Sequence, residues 1–489
     1  MSDELQFGLI ILVCALAAAL ALAYNRISDK VRIPAPAVFL LAAAIASNLF
    51  PALEHLSGKT VQHVVTICLI IILFDGGMHI GTRRFKAAAG SVAWIGVVGT
   101  FVTTAALALA AHYLFGFPWL LALLLGTALA PTDPAVVFSV LGKSEIVGRT
   151  GTILEGESGA NDPVGIALLA SLIAAGTLSG LSAVGEGALD FALQMVIGAA
   201  AGLLGGLALQ WTMRRWPLPT GALYPLRTLF GVLAIFGLAT VAHGSGFLAV
   251  FIAGIMLGDI RSPYKGEIER FHSALASLGE IVAFAILGLT INLTALWHSH
   301  VILIGLGIAA ILAFVIRPVL VGALLAPIKL RLGERGFIMW AGLKGAVPIL
   351  LGSFILSAGV DGASRVYNVI FVVVLFSVIV QGGLVPTVAK ALKVPMRPVE
   401  PEPFSLGVRF RNEPQALRRY ILERGAPADG CTLEELPLQE GTWVSLVIRN
   451  GSLVTVTGDT VLKAGDEIVA LADPESEHDP KRMFTRAED

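Results

Sequence analysis

Charge is what this sequence has least of. Asp, Glu, Lys and Arg together supply 14% of 489 residues, where a soluble globular chain carries about a quarter. Hydrophobic residues supply 56%, and apolar runs of spanning length recur, which excludes a large soluble protein with a few buried helices. The net charge of −1 leaves no basic footprint for nucleic acid. There are three cysteines. Cys14 and Cys68 lie in apolar runs and Cys431 in a polar tail, so no disulfide framework is implied. The first residues, Met1-Ser2-Asp3-Glu4, lack a basic segment, so the first apolar run reads as a retained helix rather than a signal peptide. His55, His63, His298 and His300 lack zinc-ligand spacing.

What the chain does have is a series of apolar stretches. Thirteen spans are predicted, at about 7–24, 33–51, 61–79, 89–114, 117–138, 150–175, 188–212, 226–242, 245–258, 274–292, 301–326, 336–358 and 366–389. Odd-numbered loops carry basic residues, from Arg26, Lys30 and Arg32 after the first span to Lys390, Lys393 and Arg397 after the last. Even-numbered loops hold little beyond Lys59 and Arg365. The positive-inside rule then places the N-terminus outside and the C-terminus in the cytoplasm. The fold expected is a polytopic α-helical membrane protein of about thirteen transmembrane helices, with a small α+β cytosolic domain. Its parts are a transmembrane domain at 1–394, a Pro-rich linker at 395–403, a cytosolic domain at 404–474 and a disordered tail at 475–489. In the cytosolic part, strands are expected at Ser405–Phe410, Trp443–Arg449, Leu453–Val456 and Glu467–Ala472, with a helix around Pro414–Glu423. Asn450-Gly451 marks a hairpin.

Polar residues at membrane depth carry the chemistry. Gly156-Glu157-Ser158-Gly159-Ala160-Asn161-Asp162-Pro163 interrupts an apolar span, and each acid there costs about 2.5–3.5 kcal/mol on insertion scales. Ala130-Pro131-Thr132-Asp133-Pro134 has two prolines that no unbroken helix accommodates. Gly342-Leu343-Lys344-Gly345-Ala346-Val347-Pro348 is a second interrupted span with a buried cation, Lys344. Two broken spans at corresponding places point to inverted repeats with discontinuous helices crossing at an ion site. Arg317, deep in the eleventh span, needs an acid; Glu157 is the first choice and Asp133 the second. Asp75, in Phe74-Asp75-Gly76-Gly77, reads as a site residue at the outer vestibule or inner mouth, and equally as a helix cap. Glu280 reads as a solvated or capping residue at the start of the tenth span.

Burial disfavours a charged carboxylate and a bound cation favours it. A proton and a hard monovalent cation therefore compete for the oxygens of Asp162 and Asp133. Thr132, Ser158 and freed carbonyls add neutral oxygens, and Asn161 precedes Asp162 where another acid would double the charge. With alternating access, this competition suffices for exchange of one proton per cation, without net charge movement. Glu157 paired to Arg317 is then structural.

This set of motifs resembles the bacterial monovalent cation:proton antiporters, and within them the potassium/proton antiporters of the cell-volume-regulation type. The resemblance covers about residues 5–394. It implies a homodimer in which a six-helix core moves against a dimerisation domain in the bacterial inner membrane. It implies that Asp162 carries the transported ion, helped by Asp133, Thr132 and Ser158, with Asn161 in support. Lys344 stands where relatives often have arginine, so planar bidentate pairing is lost there. Residues 404–474, ending in Val447–Asp473, resemble the TrkA-C ligand-binding subdomain of potassium-conductance regulators. That resemblance implies control by a small cytosolic ligand of nucleotide type. No Gly-x-Gly-x-x-Gly follows a strand, so NAD binding is not supported, and no other cofactor is implied. Two further readings are weighed. A ligand-gated potassium channel lacks a Thr-Val-Gly-Tyr-Gly filter loop. A membrane-embedded hydrolase lacks a nucleophile–base pair, so the chain is not read as an enzyme.

Overall fold

The computed structural model describes residues 34–49, 58–141, 144–146, 148–176, 181–260, 262–293, 296, 300–398, 417–436, 443–449, 452–454, 456–471 and 481–485. The chain divides into two compact units, Met1–Val399 and Glu400–Asp489.

The first unit is helical. Its helices are α1 (Ala35–Leu49), α2 (Gly58–Ala93), α3 (Gly99–Phe115), α4 (Trp119–Leu129), α5 (Pro134–Leu141), α6 (Arg149–Ala175) and α7 (Leu181–Arg215). There follow α8 (Leu223–Val241), α9 (Gly246–Gly258), α10 (Lys265–Leu289), α11 (Val301–Ile311), α12 (Leu332–Trp340), α13 (Ala346–Ser357) and α14 (Ala363–Phe376). Among the described residues, eight helical stretches are long and apolar enough to cross a membrane, and three shorter apolar helices accompany them. One of the eight, Gly58–Phe115, is 58 residues long, too long for a single crossing of a core about 30 Å thick. It turns at Gly81, where φ is 65°. A side chain at Gly81 would be strained and would strike Asp259. The predicted spans from 33–51 onward fall on helical segments, whereas the first, 7–24, lies outside the described residues, so the structure does not reach a count of thirteen.

Small residues let the helices approach closely, as they do where lipid removes the hydrophobic drive for association. A Cβ at Gly77 would lie 2.5 Å from the Phe251 carbonyl oxygen, and one at Gly254 would lie 2.4 Å from that of Phe74. Helices α2 and α9 thus meet backbone to backbone. The expected linker begins differently: Met396–Pro398 (β2) forms a strand antiparallel to Ser144–Ile146 (β1), pairing Ile146 with Met396. The remainder of the linker, 399–403, lies outside the described residues.

The second unit contains a four-stranded sheet of β3 (Leu417–Ile421), β4 (Trp443–Arg449), β5 (Ser452–Val454) and β6 (Glu467–Leu471), in the order β3-β6-β4-β5. The expected hairpin is present, with Val447 opposite Val454. Two expectations are corrected. Within the helix placed at 414–423, Leu417–Ile421 is instead strand β3, held by antiparallel pairing with β6; this pairing outweighs the local helical preference of Leu-Arg-Arg, and 414–416 lie outside the described residues. The tail expected to be disordered contains a helical turn, Lys481–Phe484. Phe484 is fully buried against Tyr420, ring centroids 5.1 Å apart. The strand expected at Ser405–Phe410 lies outside the described residues.

Candidate ion site

Two helix breaks and one polar helix turn build the site. Pro131 and Pro134 lack the N–H groups that would carry the helix onward, so α4 ends at Leu129 and α5 starts at Pro134. The second break separates α12 from α13 at Ala341–Gly345. The two breaks join through backbone: Asp133 N donates to Leu343 O at 2.8 Å. Gly345 permits this contact, since a Cβ there would lie 1.7 Å from Asp133 Oδ2.

Lys344 answers the question its departure from arginine raises. Its Nζ donates to the carbonyls of Ala130 at 2.9 Å and Pro131 at 2.8 Å. These are oxygens released where α4 ends, at the negative end of its dipole. An ammonium makes both bonds without bidentate geometry. Its backbone N donates to Ser377 Oγ, which donates in turn to Gln381 Oε1. Ser377 and Gln381 are site supports that motif reading missed; the available signal was their i, i+4 spacing inside an apolar span.

The third part is α6. The glycines of its polar turn are there for packing: a Cβ at Gly156 would lie 2.4 Å from a Val92 methyl, and one at Gly159 would lie 2.1 Å from the Phe251 ring. Between these contacts the polar side chains are enclosed; Glu157, Ser158, Asn161 and Asp162 are all buried. Asn161 Nδ2 donates to Thr132 Oγ1 at 2.8 Å, and Thr132 N donates to Asn161 Oδ1 at 3.3 Å. Asn161 therefore ties α6 to the first break. Asp162 is 6% exposed, and its Oδ1 is enclosed without a hydrogen-bond partner among the described residues. Asp162 lies within electrostatic reach of Asp133 and Lys344. Asp133 Oδ1 accepts from Ala135 N at 2.9 Å.

Arg317 selects Glu157 over Asp133. Its Nη1 and Nη2 both donate to Glu157 Oε1 at 3.2 Å. Nε donates to Met339 O at 3.0 Å and Nη2 to Ile338 O at 3.1 Å. Arg317 lies in a π-helical stretch, Leu312–Val321, and Gly342 leaves it room: a Cβ there would lie 1.8 Å from Arg317 Cζ.

Two outlying acids need fresh placement. Asp75 is no cap; it lies inside α2, where its Oδ1 accepts from Ser273 Oγ at 2.9 Å. His79 Nδ1 lies 2.9 Å from the Asp75 carbonyl and 3.4 Å from its Oδ2. Glu280 does not start a helix or face solvent freely. It lies near the middle of α10, with Oε1 buried and unpartnered among the described residues. The sequence reading placed this span's start nine residues too late, which turned a mid-helix acid into an apparent cap.

Such a site can hold a hard monovalent cation. It offers two carboxylates and neutral hydroxyls, with one ammonium; beside it Arg317 holds Glu157 through Oε1, while Glu157 Oε2 is enclosed without a hydrogen-bond partner among the described residues. Comparisons agree with this chemistry. Residues 15–391 match the family model described as sodium/hydrogen exchanger, transmembrane, and residues 417–484 match that of the TrkA-C domain. The chain is 33% identical over 475 residues to the K(+)/H(+) antiporter NhaP of Alkalimonas amylolytica, covering 95% of this chain and 81% of that protein. It is 31% identical over 484 residues to the K(+)/H(+) antiporter NhaP2 of a Shewanella species (strain MR-4), covering 97% and 83% respectively. Its fold is similar to that of the sodium proton antiporter MjNhaP1 of Methanocaldococcus jannaschii, with a TM-score of 0.66 at 22% identity, covering 79% of this chain and 99% of that one. The chain belongs to the sodium/hydrogen exchanger family and is a multi-span membrane cation/proton antiporter with a TrkA-C domain.

Proposed function

We propose that this antiporter exchanges K+ for protons, one for one, at Asp162, with Asp133, Thr132, Ser158 and Asn161 completing the ion site. The observation that carries the reading is the enclosed, unpartnered Oδ1 of Asp162 beside Asp133 and Lys344. With both acids ionised and the ammonium charged, this group has one negative charge in excess. One K+ or one proton balances it, and carrying both charges at once is disfavoured in a dry site. Glu157 stays charged against Arg317 and takes no part in the exchange. Potassium is favoured over sodium by the names of the relatives and by the TrkA-C domain. The C-terminus lies in the cytoplasm and the N-terminus outside, as the basic loops require, in the inner membrane of a bacterium. The protein works as a homodimer, and a small nucleotide-type ligand on the cytosolic domain regulates it.

The test is pH-gradient-driven exchange in proteoliposomes, with K+ and Na+ compared side by side and with the chain cut after the linker. K+-dependent exchange that is unchanged by a clamped membrane potential and abolished in Asp162→Asn supports the reading. Exchange that persists in Asp162→Asn overturns it.

A further inference from the structure

Glu280 has no role in the exchange described above, yet it is a half-buried acid within a membrane-spanning helix. Its Oε1 is enclosed and has no partner among the described residues. No ion pair to Glu280 is formed among them, and its electrostatic neighbour is another acid, Asp133. A carboxyl so placed is costly to keep and holds either a proton or a cation. Its position on α10 is regular. Glu269, Ser273, Ser277 and Glu280 follow one another at intervals of four, four and three residues, the spacing of one helix face. This row borders the buried face of α10, on which Gly279 packs against α2: a Cβ there would lie 3.4 Å from the Cβ of Cys68. Ser273 bonds Asp75, and Asp75 bonds the exposed His79 one turn further along α2. The end of the bundle to which this row leads carries Arg83, Arg84, Lys265 and Arg270. Ser273 on this face thus reaches Asp75 and His79, and Glu280, about two turns further along α10, lies within electrostatic reach of Asp133.

We propose that Glu280 is a staging carboxylate for the transported cation, taking it from the row that starts at His79 and Asp75 and passing it to Asp133 and Asp162. The proposal rests on the antiport reading and adds a residue to its path. In the resting site, one excess negative charge at Asp133, Asp162 and Lys344 is balanced by one ion. Glu280 adds a further charge, which a second cation or a proton balances. A cation waiting there is repelled by the one ahead and advances when that one leaves.

The experiment measures exchange by the full chain in membrane vesicles of both orientations, with K+ as the probe. Glu280→Gln is expected to raise the half-saturating K+ concentration about fivefold at the face bearing Arg83 and Arg84. The maximal rate should stay within about twofold, as fits lost binding rather than lost chemistry. Glu280→Asp should restore most of the difference, and Ser273→Ala should show a smaller shift at the same face. An unchanged constant, or an equal rise at both faces, overturns the proposal. If Glu280→Gln yields no folded protein, Glu280→Asp and Ser273→Ala decide: a one-sided shift supports the proposal and none overturns it. Loss of exchange in Asp162→Asn with an unaltered constant in Glu280→Gln leaves the antiporter reading standing and removes Glu280 from it.

Discussion

Two acids five residues apart on α6 have different surroundings, and single substitutions test the opposite duties proposed for them. Glu157 accepts both terminal nitrogens of Arg317. In Glu157→Gln, Arg317 keeps its carbonyl acceptors at Ile338 and Met339 but loses its anion. Breaking a buried pair from one side costs about 3–5 kcal/mol, so thermal unfolding in detergent should show a large drop in midpoint. Replacing both partners by neutral residues should recover part of it, because no isolated charge is left. Asp162→Asn should behave in the reverse way. It removes a charge that no donor among the described residues satisfies on Oδ1, so the melting midpoint should hold or rise while exchange is lost. Lys344→Met is the third contrast. It leaves two carbonyl oxygens without their donor and two acids without a counter-charge, so exchange should fall by about tenfold or more. A K+-driven proton flux assay reads both of the last two variants.

At the level of elements, the site is a meeting of two broken helices. Gly345→Ala tests the fit. A Cβ there would enter Asp133 Oδ2, and Asp133 cannot withdraw without breaking its backbone bond to Leu343. The variant should insert into the membrane and lose transport, and the conservative size of the change rules out a simple loss of hydrophobicity. Much of this arrangement was legible in the sequence. Pro131 and Pro134 announce a break because two prolines three residues apart remove two donors from one turn, whereas the single Pro163 lies inside the continuous α6. Arg317 announces a partner because a charge at that depth cannot be left alone. Glu280 was misjudged because hydropathy locates the apolar middle of a helix, whereas α10 begins in a charged segment at Lys265. Ser377 and Gln381 were missed because two neutral polar residues in an apolar span have ordinary uses. Only the bond from Lys344 N to Ser377, which Ser377 passes on to Gln381, gives them a function. Strand β3 was misread because pairing between segments far apart in sequence, Tyr420 with Ile468, decides its conformation.

For the molecule as a whole, the second unit keeps its own fold on a small core. The small sheet buries few side chains, and two ion pairs brace it, Arg419 with Glu467 and Arg449 with Asp466. Arg449 Nε donates to Asp466 Oδ1 at 2.8 Å and its Nη2 donates to Oδ2 at 2.7 Å, while Lys463 N donates to Oδ2 at 2.8 Å. This closes the turn before β6 onto β4. The hydrogen bond from Arg449 holds the Asp466 carboxyl below the usual carboxylate range. A carboxyl whose value is lowered by folding binds its proton more readily in the unfolded chain. Its contribution is therefore complete above the unfolded value, about 4, and is lost as pH falls through the lower folded value. At neutral pH, Asp466→Asn should cost about 1.5–3 kcal/mol, the scale of a hydrogen bond to a charged group. Hydrogen-exchange protection of β4 in the full-length protein reads the change. Protection in the native chain should decline as pH is lowered below about 4, and the variant should start lower and show a flatter decline over that interval. Protection of α6 should be equal in both proteins, because Glu157 and Asp162 lie in the other unit. Equal protection of β4 at neutral pH would mean that the sheet does not depend on this contact.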